Sequence, residues 1–371
     1  MAEVAVEPRP KLVFPDLNSA PASWLTSEVN AAGKLCLVAM CAARDPNTPE
    51  RNDVVLKEIE LDSGNVSSST ILKDASWVSF SRGGGYATYR VRAPGSKRLE
   101  YCLVVMQLPG GKIKQRVNLN EFALEKGVAK KQIADDLTSL TVTGSPVSPY
   151  ALARISFEQR PRIMASLPKG PYLNTSTFKV SYGKPDGRVA AILIPKKHQQ
   201  RGWKCLLMDM EFKVLTTLDV PVKSHALDMY SGNAPMFLIA NGPRWMLFSL
   251  SSDEFTLVRS GIHGSPSDAQ SSIWTGAISP DGRWLATTTM ARVNSLAIWS
   301  TSTGTMVSQI PLDGFGIARF DISGRFLSCN VQRQGMHRLF VWDFPALVSA
   351  QLEVQSDSLG RSQRRWENKG Q

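Results

Sequence analysis

Four histidines, five cysteines and a run of three glycines are the residues of this 371-residue chain that invite a chemical reading. Converging imidazoles and thiolates bind transition metals, and a histidine beside a thiol or hydroxyl makes an activated nucleophile. His198, His225, His263 and His337 stand far apart, and none lies at a metal-ligand spacing from a cysteine or another histidine. His198 (PKKHQQRG) and His337 (QRQGMHR) fall in predicted loops, which favours exposed side chains over ligands. Cys36, Cys41, Cys102, Cys205 and Cys329 lie mostly in apolar runs such as LCLVAMC. Five positions apart on one strand, Cys36 and Cys41 point to opposite faces and cannot chelate together. Buried free thiols in a reducing compartment are therefore expected. No helix follows Gly83-Gly84-Gly85 to supply the dipole a phosphate loop needs. Asp186 and Asp281, in KPDG and SPDG, read as turn residues. The strings GxSxG, HExxH and Walker A are absent. No catalytic residue, cofactor or metal site is expected.

Charge offers more. The chain carries 43 basic and 32 acidic residues, a formal net +11, which favours an acidic or phosphate-bearing partner. The N-terminal MAEVAVEPRPKLVFPDLN has acids and prolines where a signal peptide needs a charged start and an apolar core. No run approaches the ~20 apolar residues of a membrane helix. A cytoplasmic protein with no membrane association is the expectation.

What positions these residues is a repeat. Residues 277–299, AISPDGRWLATTTMARVNSLAIW, read as strand, tight turn, strand, loop and strand. Pro280 presets φ for the turn, Asp281 can bond the backbone beyond it, and Gly282 accepts a positive φ. Residues 318–343, ARFDISGRFLSCNVQRQGMHRLFVWD, repeat the pattern: Gly282 and Gly324 are 42 apart, Trp299 and Trp342 are 43 apart. Both steps match the ~40–45 residues of one WD-type propeller blade. These two units, ending in Trp342-Asp343, resemble WD40-type repeats. The resemblance implies a ring of four-stranded blades and a role in binding other proteins or peptides. WD40 blades usually carry Gly-His before the first strand and Asp in the turn between the second and third. Here His263 is the only histidine near the first position, and neither MARVNS nor QRQGMH contains Asp. That puts the hydrogen-bond network those residues normally build in question.

The same grammar recurs over 25–72, 77–117, 178–218 and 226–258, and most weakly over 119–166. Seven units result, with first turns near 33, 84, 148, 187, 233, 282 and 324. The predicted fold is an all-β, seven-bladed WD40-like propeller over 21–354. Within 120–140, Ala129, Ile133, Leu137 and Leu140 fall at helical spacing, predicting a short helical insertion beside a blade. Residues 1–20 form an N-terminal arm whose Lys11–Phe14 could close the ring, with VSAQLEV (348–354) as the alternative. Residues 355–371, with Arg361, Arg364, Arg365 and Trp366, read as a disordered basic tail.

In a propeller, the connections between second and third strands open on one face. Taken as 41–53, 90–100, 158–162, 194–204, 240–244, 290–295 and 331–338, these windows together hold the whole +11 excess. The main charges of such a rim are Arg92, Lys97, Arg98, Lys196, Lys197, Arg201, Arg292, Arg333 and Arg338. The reading is a non-catalytic scaffold that binds a protein partner's acidic segment or peptide on this rim and at the channel mouth. Two alternatives belong to other classes. One is a nucleic-acid-binding propeller using the same rim on an RNA backbone, for which only Trp203 and Trp245 lie near enough to stack bases. The other is an enzyme whose site is assembled at the channel mouth, one residue per blade.

Overall fold

The structure is a computed structural model. It describes residues 9–14, 22–42, 53–92, 101–118, 131–133, 139–143, 149–156, 161–170, 172–181, 187–195, 203–230, 235–251, 253–263, 272–291, 293–334 and 336–350. Its strands form seven blades of four antiparallel strands each, numbered from the channel outwards. After β1 (Leu12–Phe14), blade 1 comprises β2 (Ala22–Val29), β3 (Leu35–Ala42), β4 (Val54–Glu60) and β5 (Val66–Leu72). Blade 2 comprises β6 (Ala75–Phe80), β7 (Tyr86–Arg92), β8 (Tyr101–Gln107) and β9 (Lys112–Asn118). Blade 3 comprises β10 (Lys131–Ile133), β11 (Ser139–Thr143), β12 (Tyr150–Ser156) and β13 (Ile163–Pro168). Blade 4 comprises β14 (Tyr172–Ser181), β15 (Arg188–Pro195), β16 (Trp203–Met208) and β17 (Val214–Val220). Blade 5 comprises β18 (His225–Tyr230), β19 (Met236–Asn241), β20 (Arg244–Ser249) and β21 (Thr256–Ile262). Blade 6 comprises β22 (Ser272–Ile278), β23 (Trp284–Met290), β24 (Asn294–Ser300) and β25 (Met306–Leu312). Blade 7 has β26 (Phe315–Phe320), β27 (Phe326–Arg333) and β28 (Met336–Asp343). Its outer strand is β1, which pairs β28 with Leu12 opposite Val341 and Phe14 opposite Leu339. The N-terminus thus closes the ring.

The blades form because no single sheet can bury both its faces. Middle strands such as β23 and β24 are buried along almost their whole length and read as continuous apolar or hydroxyl runs. Inner β26 alternates, with Phe315, Ile317 and Arg319 exposed and Gly316, Ala318 and Phe320 buried. The core lies between blades: Ala277, Leu296 and Ile298 of blade 6 pack against Ala318, Phe320 and Leu327 of blade 7.

One turn recurs in blades 1, 2, 6 and 7. Its first residue is Asn30, Ser81, Ser279 or Asp321, whose side-chain oxygen accepts the N–H of Leu35, Tyr86, Trp284 or Phe326. Three positions on, Gly33, Gly84, Gly282 and Gly324 hold φ between 65° and 72°. Gly282 and Asp281 therefore serve the turn: Gly282 N–H bonds Ser279 O at 2.9 Å, and Asp281 accepts the Arg283 N–H at 3.0 Å. Gly83 and Gly84 do the same in blade 2, as a strand-to-strand turn.

Blade 3 corrects two expectations. Where a helix was expected within 120–140, Lys131–Ile133 and Ser139–Thr143 are paired strands, with Ile133 opposite Leu140. The spacing that brings Ile133 and Leu140 onto one helical face also sets them face to face across a hairpin, and the free edge of β12 decides between the two. Residue 148 accordingly follows the unit's second strand, β11, and does not lie between its first two strands. Residues 119–130 and 134–138 lie outside the described residues. The one helix among the described residues is 344–350, after β28. The stretch starting at 348 therefore begins as helix, and the ring is closed from the other end of the chain. The predicted tail, 355–371, lies outside the described residues.

Candidate protein-interaction face

Strand direction defines two faces. The tight inner-to-second turns open on the lower one. The upper face carries the second-to-third connections and those leading from each outer strand to the next blade. Of the predicted rim charges, Lys97, Arg98, Lys196, Lys197, Arg201 and Arg292 lie outside the described residues. Arg92 closes β7 opposite Tyr101, at the upper end of blade 2. Arg333 and Arg338 flank the β27–β28 hairpin on the upper face of blade 7. They are brought together on one carboxylate: Asp313, from the blade 6–blade 7 connection, lies 3.1 Å from Arg333 Nη1 and 3.8 Å from Arg338 Nη1. With Val331, Gln334 and Met336 they line a shallow hollow. One charge window needs correction. Residues 158–162 join β12 to β13 and so open downwards; the upper connection of blade 3 is 144–149, GSPVSP, which is uncharged.

Beside this hollow is an apolar patch that charge counting misses. Trp274 is 46% exposed on inner strand β22, Phe315 41% on β26, and Val293 74% on the upper connection of blade 6. Ile317 and Met336 are exposed beside them. A threonine pair fixes the two inner strands to each other. Thr275 donates to the Gly316 carbonyl at 3.2 Å and accepts the Ala318 N–H at 3.1 Å, while Thr288 donates to the same carbonyl at 2.6 Å. A Cβ on Gly316 would lie 2.7–3.1 Å from Leu312, Cys329 and Thr288, so glycine permits this approach. Trp274 and Phe315 are each one residue from this clamp, which holds the channel mouth of blades 6 and 7 rigid. Bulky apolar residues at alternate positions of an inner strand, as in Phe315-Gly-Ile317, are the signal that could have revealed the patch.

Beneath the rim, a buried polar chain stiffens blade 6. Trp299 Nε1 donates to Thr287 Oγ1 at 2.9 Å, and Thr287 Oγ1 is 2.8 Å from His263 Nδ1. His263 Nε2 is 2.9 Å from Ser295 Oγ, which also accepts from Gln309 Nε2 at 3.0 Å. An indole can only donate, so Thr287 Oγ1 accepts from Trp299. We assign the hydroxyl's own proton to Nδ1, which uses the hydroxyl as donor as well as acceptor, and the imidazole proton to Nε2. Burial holds the His263 pKa down to about 4. The network questioned for want of an Asp is thus built in this blade with Ser295 at the second-to-third connection.

The other histidines have structural surroundings. His337 is buried, a correction to the exposed loop position predicted for it: it is the second residue of β28, opposite Gln332 and Ala22, where the first blade docks on the last. His225 Nε2 lies 3.1 Å from the Ile273 carbonyl. His198 and Asp186 lie outside the described residues. Among the described residues no three His, Cys, Asp or Glu side chains are grouped to hold a metal ion. Trp245 is fully buried, edge-on to Trp299 at 5.4 Å, so it cannot stack on a base. Trp203 packs partly against the core of blades 4 and 5.

The blades, the closed ring and the two faces define a seven-bladed β-propeller. No protein-family model matches the sequence, and no curated protein matches it by sequence. By structure it is similar to the β-propeller domain of Cps50 (Swd1) from Myceliophteria thermophila. That match has a TM-score of 0.62 and 13% identity, and covers 88% of this chain and 98% of that one. It is also similar to a chain in the crystal structure of the mitotic checkpoint complex, with a TM-score of 0.61 and 13% identity over 90% of this chain and 95% of that one.

Proposed function

We propose that the chain is a non-catalytic protein-interaction scaffold, holding an acidic segment of a partner protein on the upper rim and the channel mouth of blades 6 and 7. One observation carries this reading: exposed Trp274, Phe315, Val293 and Met336 share a rigid upper face with Arg333 and Arg338. Buried aromatic anchors ringed by charge are what protein interfaces use for affinity and orientation. The similarity to a chain of the mitotic checkpoint complex, a multiprotein assembly, supports the same class of role. The five free thiols suit a reducing compartment, and a cytoplasmic location is part of the proposal.

Affinity capture from the native cell, read by mass spectrometry, tests it. Wild type is compared with Trp274→Ala/Phe315→Ala and with Lys196→Glu/Lys197→Glu/Arg201→Glu. Partners lost in both variants support the reading; an unchanged partner set in both removes this face from it. Recovery of RNA in place of protein, weakening steeply with salt, would favour a nucleic-acid backbone as the partner.

A further inference from the structure

Three basic side chains are carried towards the lower end of the channel by three different blades. Arg82 comes from the β6–β7 turn of blade 2, Lys179 from inner strand β14 of blade 4, and Arg319 from inner strand β26 of blade 7. Both arginines lie within electrostatic reach of Lys179. Because blades 2, 4 and 7 are not neighbours in the ring, such reach exists only across the lumen.

Two carboxylates are close, and both are engaged. Buried Glu28 accepts the Gly83 N–H at 3.2 Å and lies 3.8 Å from Arg319 Nη1. Arg319 also donates to the Ser27 carbonyl at 3.4 Å. Asp228 of blade 5 accepts the Ile278 N–H at 2.8 Å. Three cations thus lie near two carboxylates among the described residues. Among the described residues neither Lys179 nor Arg82 has a hydrogen-bond or ion-pair partner. Burial lowers the Lys179 pKa; Asp228 opposes that shift, and Arg319 and Arg82 add to it. Among the described residues the cluster is deficient in negative charge.

Ile322, in the blade 7 turn, lies against Gly83 of blade 2. On β26 the exposed positions Phe315, Ile317 and Arg319 descend in steps of two residues, placing Arg319 about 13 Å below the mouth. We propose that the channel binds a phosphate-bearing anion, which enters by the upper mouth and is held by Arg82, Lys179 and Arg319. Guanidinium groups match phosphate oxygens in paired hydrogen bonds, and the ammonium adds a point charge. A carboxylate would offer fewer oxygens and less charge to three donors. This site is separate from the rim reading and can stand or fall without it.

A phosphate on a small molecule and one on a peptide present the same oxygens, so the test has two arms. The full chain is titrated calorimetrically with inorganic pyrophosphate, and with a phosphoserine peptide, at about 50 and about 200 mM salt. One pyrophosphate per chain is expected, weakened about tenfold or more by Lys179→Met and by Arg82→Gln. Lys112→Gln/Lys114→Gln, which removes two charges from outer strand β9, should leave it unchanged. Peptide binding that pyrophosphate displaces assigns the site to a phosphorylated segment; pyrophosphate binding alone assigns it to a free anion. No binding at low salt, binding that survives both channel variants, or an equal loss in the outer-strand variant overturns the proposal. Arg82→Gln lies on a turn outside the core, so it decides the matter should Lys179→Met fail to fold.

Discussion

Asn330 donates its side-chain amide to the Leu25 carbonyl at 2.7 Å, bonding the last blade to the first across 305 positions of sequence. The bond is buried and lies on the second strand of blade 7, inside the outer closure made by β1. Asn330→Leu should lower stability by about 1–3 kcal/mol, because the Leu25 carbonyl loses its buried donor. Asn330→Asp, similar in size but without the N–H, should cost at least as much. Urea unfolding measures both. Midpoints equal to wild type would mean that β1 alone holds the ring shut.

His263 should make the fold acid-sensitive well above the carboxylate range. Its pKa falls from an ordinary 6.5 to about 4 on folding, through burial. Between those values the unfolded chain binds a proton that the folded chain does not, so stability rises with pH. It is fully present above about 6.5 and is lost as pH falls towards 4, by roughly 3 kcal/mol in all. His337, also lowered by burial, acts in the same sense. His263→Gln should flatten the pH dependence of the unfolding midpoint between about 5 and 7. A slope identical to wild type would refute the assignment.

Much of this fold was legible in the chain, and the reason is local. Ser279-Pro-Asp-Gly282 and Asp321-Ile-Ser-Gly324 encode their turns within four residues, through one side-chain acceptor and one glycine of positive φ. Blade count followed from repeating that unit. Blade 3 was misread because Ile133 and Leu140 satisfy helix and hairpin spacing alike, and only β12, from further along the chain, settles it. The site was half legible. Arg333 and Arg338 could be read as rim charges, but not their shared Asp313, which comes from another blade. Nor could spacing show that Trp274 and Phe315 are exposed on adjoining inner strands, or that Arg82 and Arg319 come within electrostatic reach of Lys179. Those relations arise only when the ring closes.

Gly261 is required by an aromatic ring. A Cβ there would lie 2.6–2.7 Å from the indole of Trp245, which is fully buried and cannot yield. Gly261→Ala should cost about 1–3 kcal/mol, the usual penalty for overfilling a packed site. Gly85→Ala is the control, since no atom lies within 4 Å of the added carbon. Thermal unfolding of the two variants should separate them clearly. Equal melting temperatures would show that blade 5 repacks around the methyl.

The cysteines should divide into two classes of reactivity. Cys36, Cys205 and Cys329 are buried, and burial pushes the thiols of Cys36 and Cys329 up to about 12 and raises that of Cys205 as well. Cys41 and Cys102 are half-buried at strand positions nearer the surface. A thiol reagent at about pH 8 should therefore modify at most two groups in the native protein, and all five in denaturant, because the thiolate is the reacting form. Rapid native labelling of a third cysteine would mean that one of these blade interfaces opens readily.

Asp313 is the most direct handle on the rim, because it spends part of the charge that a partner would need. It is about half exposed and holds Arg333 and Arg338 on one carboxylate, so the arrangement is screened and worth little to stability. Asp313→Asn should leave the melting temperature nearly unchanged while freeing both guanidiniums. Binding of a glutamate-rich peptide at low salt should then strengthen by about two- to fivefold, the range of an exposed ion pair. Arg333→Glu/Arg338→Glu should weaken it, and both effects should shrink as salt shortens the reach of the charges. Opposite signs in the two variants are what matters, since a change in folding would move them together. If neither variant alters the affinity, the acidic partner is not held at blade 7, and the apolar mouth at Trp274 and Phe315 must account for recognition without it.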